Sequence, residues 1–532
     1  MRRSRKQLAL AGVLSAFIGA VAAVAFAGSA TDLTGVPSAN TRSAGYAPAS
    51  VLSPELAQIV VAQGSYPLDG GTAAVPYYGY LGGAPMVPAL GSNVEAKKTE
   101  PDKNTYLVFK DGLTGADPAY NYGTHFLFQG HEGGSPGTIT RINLDADAAH
   151  RVTLLATKDA DGNNLATIDG STWDAWSKLL LLTTESASAP TYAATPGYPS
   201  TVTDVSGSLG RGGYEGIQND STGNVWIVED IGGSAPAGTN ARRPNSFIYR
   251  FVPEHPSDLS KGKLQVLQVF AADGHPITTS SQAAVGASDL AALHVYGSSF
   301  DTRWATIHNT ASDGTVPFNA NTLAKAANGT PFKRPENGVF RPDGKFKQFF
   351  FDETGDTNAT STENGCCGGW GSIYKLTQKS PTADSGTLSI FYNGDGTHAA
   401  FDNVSFFDKD HIAFVEDAGA TLHQQRNGLD NAWMFDVTKD YSNPANQPVR
   451  FIAEGRDPSA TIDAGLVGTP GFNNEDDNEI TGIHVSNGDP SKNGILGAKH
   501  PHPWKGHGPD RWRVFYTQQH GDNPTYEVLR IK

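Results

Sequence analysis

The chain has 532 residues, with 38% hydrophobic and 18% charged residues, 60 Gly and 32 Pro. That is too apolar and too weakly charged for a disordered chain, and the abundance of turn residues points to short strands rather than long helices. The formal net charge is −14, so no general electrostatic attraction draws the chain to nucleic acid; an acidic surface suits the gathering of multivalent cations.

Residues 1–27 predict a signal peptide. Arg2, Arg3, Arg5 and Lys6 form a basic segment, residues 8–27 are apolar, and Ala25-Phe26-Ala27 offers a small-x-small cleavage site before Gly28. The apolar run is also long enough for an uncleaved anchor. Export by the general or the twin-arginine route makes the protein secreted or periplasmic. Cleavage leaves 36 basic against 54 acidic residues, a net charge of −18. Residues 28–100, rich in Ala, Gly, Ser and Pro, predict an extended arm packed on the rest, with a helix at 53–62.

From 101 to 532 the texture changes. Short β-branched and aromatic runs alternate with Gly/Asp/Asn turns. A helix is expected at 319–327, opened by Asn319 and closed by Asn328-Gly329. A repeated unit of two strands joined by a loop shows at 126–144, 225–252, 349–376, 412–437 and 514–531. The strand at 179–185 belongs to a sixth copy without a clean partner. This predicts an all-β fold: a six-bladed β-propeller with long inserted loops, a β-sandwich or β-helix being the alternative. Adjacent Cys366 and Cys367 can form a vicinal disulfide that stiffens a Gly-rich loop; a two-thiolate metal site is the rival. The Asp159–Asn163 stretch begins like a calcium loop but lacks its closing Glu, and predicts a turn. His500, His502 and His507 fall in a Pro/Gly loop.

In a propeller, residues just past corresponding strands converge on one channel mouth. Here those positions hold Glu132, Glu185, Glu229, Asp230, Glu353, Glu416, Asp417 and His520. Glu215, Glu336 and Glu479 stand beside glycine, proline and asparagine. So many converging carboxylates need compensation, and hard oxygen ligands favour Ca²⁺, Mg²⁺, Mn²⁺ or Fe³⁺.

Several stretches, spread over 100–532, together resemble the PhoX-type bacterial alkaline phosphatase family. They are Leu182-Thr183-Thr184-Glu185, 210–216, 225–230, 247–253, Arg334-Pro335-Glu336, Phe401-Asp402-Asn403, Glu479-Ile480-Thr481-Gly482 and Gln518-Gln519-His520. The resemblance implies a secreted six-bladed propeller that hydrolyses phosphate monoesters. In that family a calcium and iron cluster, held by carboxylates and one thiolate, lies at the channel mouth. Carried over, Glu185, Glu215, Glu336 and Glu479 are its metal ligands. Thr184 stands where the thiolate is expected, which puts iron in question and leaves a calcium site. Arg334 is the expected phosphoryl clamp, and His131 or His520 the expected proton donor. The implied partner is a small phosphorylated substrate, with no nucleic acid, no stable membrane partner beyond an uncleaved anchor, and a monomeric state. Two other functions fit the same residues: a calcium-stabilised propeller that only binds or scaffolds, and a calcium-dependent propeller lactonase or esterase.

Overall fold

A computed structural model describes residues 32–36, 40, 49–82, 98–455, 479–505, 511–519 and 524–531. The expected signal peptide, the expected twin of His131 at His520, and His507 lie outside the described residues. Two strands, β1 (Val51–Leu52) and β2 (Leu56–Ala62), open the fold. Then come β3 (Thr105–Val108), β4 (His125–His131), β5 (Thr138–Asn143) and β6 (Val152–Ala156), which form one antiparallel sheet. The strands β7 (Ser171–Asp174), β8 (Leu179–Leu182), β9 (Tyr192–Ala194) and β10 (Val202–Asp204) form the next.

The middle of the chain supplies β11 (Tyr214–Asn219), β12 (Val225–Glu229), β13 (Ile248–Pro253), β14 (Gly262–Val269) and β15 (Phe300–Asn309). It continues with β16 (Gly338–Phe340), β17 (Gln348–Glu353), β18 (Ser372–Gln378) and β19 (Ser385–Asn393). These join in one nine-stranded sheet of order β11-β12-β13-β14-β15-β19-β18-β17-β16. The reason is local: β15 pairs with β14 along one edge and with β19 along the other. Two four-stranded meanders are thereby zipped together at their outer edges, and the described residues hold five sheets rather than six.

The last two sheets are β20 (Phe401–Phe406), β21 (His411–Glu416), β22 (Asn431–Asp436) and β23 (Val449–Ala453), then β24 (Glu479–Ser486), β25 (Arg513–Gln519) and β26 (Thr525–Arg530). The opening strands complete them: β1 pairs outside β23, and β2 pairs outside β26. Most of the segment 53–62, from Leu56 to Ala62, is therefore a strand where a helix was expected. Ile59, Val60 and Val61 are β-branched, and the free edge of β26 satisfies their backbone groups. The helix expected at 319–327 is present at Ala320–Ala326, where the Asn319 side chain accepts from the Thr322 N–H.

The arrangement is propeller-like. The first strands neighbour one another in a closed ring, β3–β7–β11–β16–β20–β24 and back to β3. Each seam between sheets has its own apolar packing. Phe126, Phe128 and Ile139 meet Leu180, Leu182 and Tyr192, and Leu181 and Ala193 meet Ile217, Val225 and Ile227. Further round, Phe350 and Ile373 meet Phe401, Ile412 and Phe414. Val415, Ala432 and Ile452 meet Ile480, Val514 and Val528, and Phe515 meets Leu127 and Ile142. Sheets covered on both faces explain why strands such as Val225–Glu229 read as unbroken apolar runs rather than alternating ones. Each fully buried large apolar side chain contributes about 1.5–3 kcal/mol.

The repeat visible in the sequence corresponds to the second and third strands of the sheets. The first strands, which line the ring, range from the three residues of β16 to the eight of β24, and all but β16 carry polar residues. The incomplete copy at 179–185 is β8, and its partner is the three-residue β9.

Candidate metal centre

Every first strand brings a carboxylate to its start. Asp102 precedes β3, Asp169 precedes β7, Glu215 is the second residue of β11, Glu336 precedes β16, Asp402 is the second residue of β20, and Glu479 opens β24. Because the six strands form one ring, six side chains that are far apart in sequence gather at one end of it. Glycines make the approach possible: a Cβ on Gly170 would meet the Glu215 carbonyl at 1.9 Å, and one on Gly216 would meet the Glu336 carbonyl at 2.9 Å.

Carboxylates leaving the second strands join them. Four triads have ligand oxygens all within 4.8 Å of one another: Asp102, Asp169 and Glu215; Glu132, Asp169 and Glu185; Glu185, Asp230 and Glu336; and Glu215, Glu336 and Asp402. Asp169, Glu185, Glu336 and Glu215 each belong to two triads, so eight carboxylates form one continuous cluster. The expected ligands Glu185, Glu215 and Glu336 are brought together. Glu479 is in none of the triads, although Asp417, Asp402 and Glu132 raise its pKa electrostatically once burial has done so first.

Neutral groups hold the carboxylates in place. The Asn337 Nδ2 donates to Glu215 at 3.1 Å, and Gln519 Nε2 donates to Glu132 at 2.7 Å. Thr354 donates its hydroxyl to Glu336, and Thr481 donates to Asp102. Arg334 donates through Nε to Asp230 at 3.0 Å and through Nη2 to Glu336 at 3.2 Å. Its φ of 52° lies in the left-handed region, which a non-glycine residue enters at a cost of about 1–3 kcal/mol. Buried bonds oppose that cost: its carbonyl accepts from the Thr354 N–H, and neighbouring Lys333 is paired with Asp356 and Glu363.

The electrostatics are severe. Burial is the largest cause raising the pKa of Asp102, Glu132, Asp169, Glu185, Glu215, Glu336, Asp402 and Glu479. For Glu132, Asp169, Glu185, Glu336, Asp402 and Glu479 the next cause is a neighbouring carboxylate. Glu185 stands open to solvent, yet protein surrounds it closely enough for desolvation to dominate. Carboxylates this crowded ionise together only beside cations. The Asp169 Oδ1 and Asp230 Oδ1 atoms are buried without a hydrogen-bond partner. Carboxylate groups could thus hold a metal, and an all-oxygen donor set with free buried oxygens fits a hard cation. A thiolate is missing from that set. Thr184 donates its hydroxyl to the Pro190 carbonyl at 2.9 Å, and the chain's two cysteines are joined in the Cys366–Cys367 disulfide, in the loop between β17 and β18.

Other expected residues have structural surroundings. His131 is fully buried, with Nδ1 2.8 Å from the Thr99 hydroxyl and Nε2 2.8 Å from the Thr140 hydroxyl. Burial pulls its pKa down to about 3, so near neutral pH it is a neutral imidazole whose ring nitrogens both face threonine hydroxyls. Glu229 accepts from the Phe247 N–H, the Tyr249 hydroxyl and Asn321. Glu416 is bound by Arg426, Asn431 and Trp433, and Glu353 by the Lys333 N–H. In each of these the last strand residue points into the packing, whereas the next one, Asp230 after Glu229, enters the cluster. The Asp159 carboxylate caps its own turn through the Asp161 and Asn163 N–H groups, as expected. Asp102, Asp169 and Asp402 were not anticipated as ligands. The missed signal was a carboxylate just before, or among the first two residues of, each first strand.

No family model and no curated protein matches the chain. Among solved structures, Pseudomonas fluorescens PhoX in complex with vanadate, a transition state analogue, is similar with a TM-score of 0.53 at 11% identity, covering 94% of this chain and 98% of that one. At that identity the likeness shows the fold alone. A fungal alcohol oxidase of the AA5 family in complex with copper has a TM-score of 0.32 at 10% identity, over 92% of this chain and 76% of that one. A mutant Synechocystis apocarotenoid oxygenase has one of 0.27 at 8%, over 78% and 84%. Neither of these two carries an argument about this chain.

Proposed function

We propose that this chain is a metal-dependent phosphoesterase acting on small phosphate monoesters, built on a six-bladed propeller in which the nine-stranded sheet counts as two blades. The observation that carries the reading is the continuous cluster of eight carboxylates, fed by a ring of six first strands. The similarity in fold to a protein solved with vanadate supports the reaction class. A dianionic monoester would be repelled by so acidic a chain unless the local sign of charge were inverted. Hard cations bound in the cluster, calcium fitting the donors best, supply that inversion and Lewis-acid clamping of the phosphoryl oxygens. Two of the five Arg334 N–H groups are engaged by Asp230 and Glu336, which fixes the guanidinium plane and leaves donors for a phosphoryl oxygen. The carboxylates orient this fork while keeping it charged.

The test is release of inorganic phosphate from a generic aryl phosphate by purified protein. Activity that a strong chelator abolishes and added calcium restores is the expected result; no release at any calcium concentration would leave the second reading. That reading is a calcium-stabilised binding module, and the engagement of Thr184 with Pro190, in place of a thiolate, favours it. Export belongs to the proposal as well. Intact-mass measurement of the exported protein should place its first residue near Gly28, and a chain beginning at residue 1 or 2 in the membrane fraction would support the anchor. No helix among the described residues is long and apolar enough to cross a membrane.

A further inference from the structure

One cation of the cluster is neither a ligand nor a clamp. Lys103 follows Asp102 at the entry to β3. Its ammonium donates to the Asn403 Oδ1 at 2.8 Å. The amide nitrogen of Asn403 in turn lies 2.8 Å from both oxygens of Asp402 and 3.1 Å from the Thr481 hydroxyl, which itself donates to Asp102. A single relay thus ties Lys103 to two members of the cluster on two different ring strands. Burial lowers the pKa of Lys103, and Asp402, Asp102, Glu215 and Asp352 oppose that shift electrostatically without cancelling it. No ion pair within 4.0 Å joins Lys103 to a described carboxylate, so its charge acts through space and through Asn403.

A cavity of about 40 Å³ is lined by Lys103, Tyr106, Trp173, Gln218, His484 and Asp489. The imidazole there is neutral, because burial first and Lys103 second drive its pKa down to about 3. Lys103 thus stands between the carboxylates on one side and, on the other, a cavity whose lining also includes Asp489.

We propose that Lys103 is a positioning residue of the cluster, and that its amine, tied through Asn403 to Asp402 and through Thr481 to Asp102, limits how many multivalent ions the carboxylates take up. The inference rests on the metal-centre reading above. An ammonium near Asp102, Asp402 and Glu215 offsets charge that would otherwise be met by a further ion, and through Asn403 it holds Asp402 in its orientation toward Glu215 and Glu336. It also allows the ring to close when ions are scarce.

The experiment compares the full chain with Lys103→Met and Lys103→Arg, using calcium alone as the probe. Bound metal per chain is counted by elemental analysis after equilibration, and calcium affinity is read by titration calorimetry. Lys103→Met should bind one more calcium per chain, or bind the existing ones on the order of tenfold more tightly, as removal of a unit charge within a poorly screened cluster requires. Lys103→Arg should keep the wild-type count. Lys103→Met should melt below wild type in chelator and recover in millimolar calcium. Equal counts and affinities in wild type and Lys103→Met would overturn the inference while leaving the metal centre standing. Failure of Lys103→Met to fold even in saturating calcium would also overturn it, since the residue would then be a fold element and not an exchangeable charge. A wild-type chain that binds no calcium would overturn the metal centre and this inference together.

Discussion

Glu215→Gln and Glu336→Gln should each lower phosphate release by at least about 100-fold, a loss that supporting groups around metal ligands already approach when removed. Each of these two residues belongs to two of the four triads, so each amide removes a charge and a ligand from two neighbouring positions at once. Glutamine keeps the size and most hydrogen bonds, so the loss is one of metal affinity and not of folding. The double variant should be little worse than either single one, because residues that hold a shared centre act as a unit. Glu229→Gln is the internal control. Glu229 is equally buried, burial raises its pKa to about 8, and its partners are donors; an amide oxygen can replace it, and activity should stay within a few-fold. Independent, additive losses at Glu215 and Glu336, or an equal loss at Glu229, would show that the cluster is not the reacting centre.

Removing metal should destabilise the protein strongly, and more so as pH rises. A ligand at 100- to 1,000-fold excess over its dissociation constant adds about 3–4 kcal/mol to a fold that alone binds it. The pH dependence follows from the direction of the shifts. The cluster carboxyls have pKa values raised in the folded, metal-free chain, by burial first and by one another next. Folding then takes up protons. The stability linked to these protons is fully present below the unfolded carboxyl pKa of about 4 and is lost as pH climbs toward the raised folded values. Calcium substitutes for those protons, so the gap between calcium-loaded and chelated melting temperatures should widen steadily from pH 5 to pH 8. A gap that is constant across this range, or a chelated protein that grows more stable as pH rises, would contradict the charge balance assigned to the cluster.

The amino-acid sequence by itself determined the all-β class, the positions of the central strands and the acidic character of the mouth. The strands at 126–131, 225–229, 349–353 and 412–416 were legible because sheets packed on both faces demand continuous apolar runs, and continuous runs stand out. Glu185 was legible as the carboxylate that ends an apolar run, and Glu215 and Glu336 because glycine or proline neighbours mark them. Only the tertiary structure decided the rest. Asp102 and Asp169 sit before strands of four residues each, β3 and β7, too short to show a period; it is the ring closure, a non-local approach of first strands, that brings them into the carboxylate cluster. The strand at 56–62 has no partner within reach in sequence, and becomes β only because β26, more than 400 residues later, offers an open edge. His131 carries a residue type suited to proton transfer, but the chain places it between two threonine hydroxyls in an interior that water does not reach, where an imidazole remains neutral. Local composition encodes which side chains are available; the burial and convergence that set their charge and their role arise only when distant strands meet.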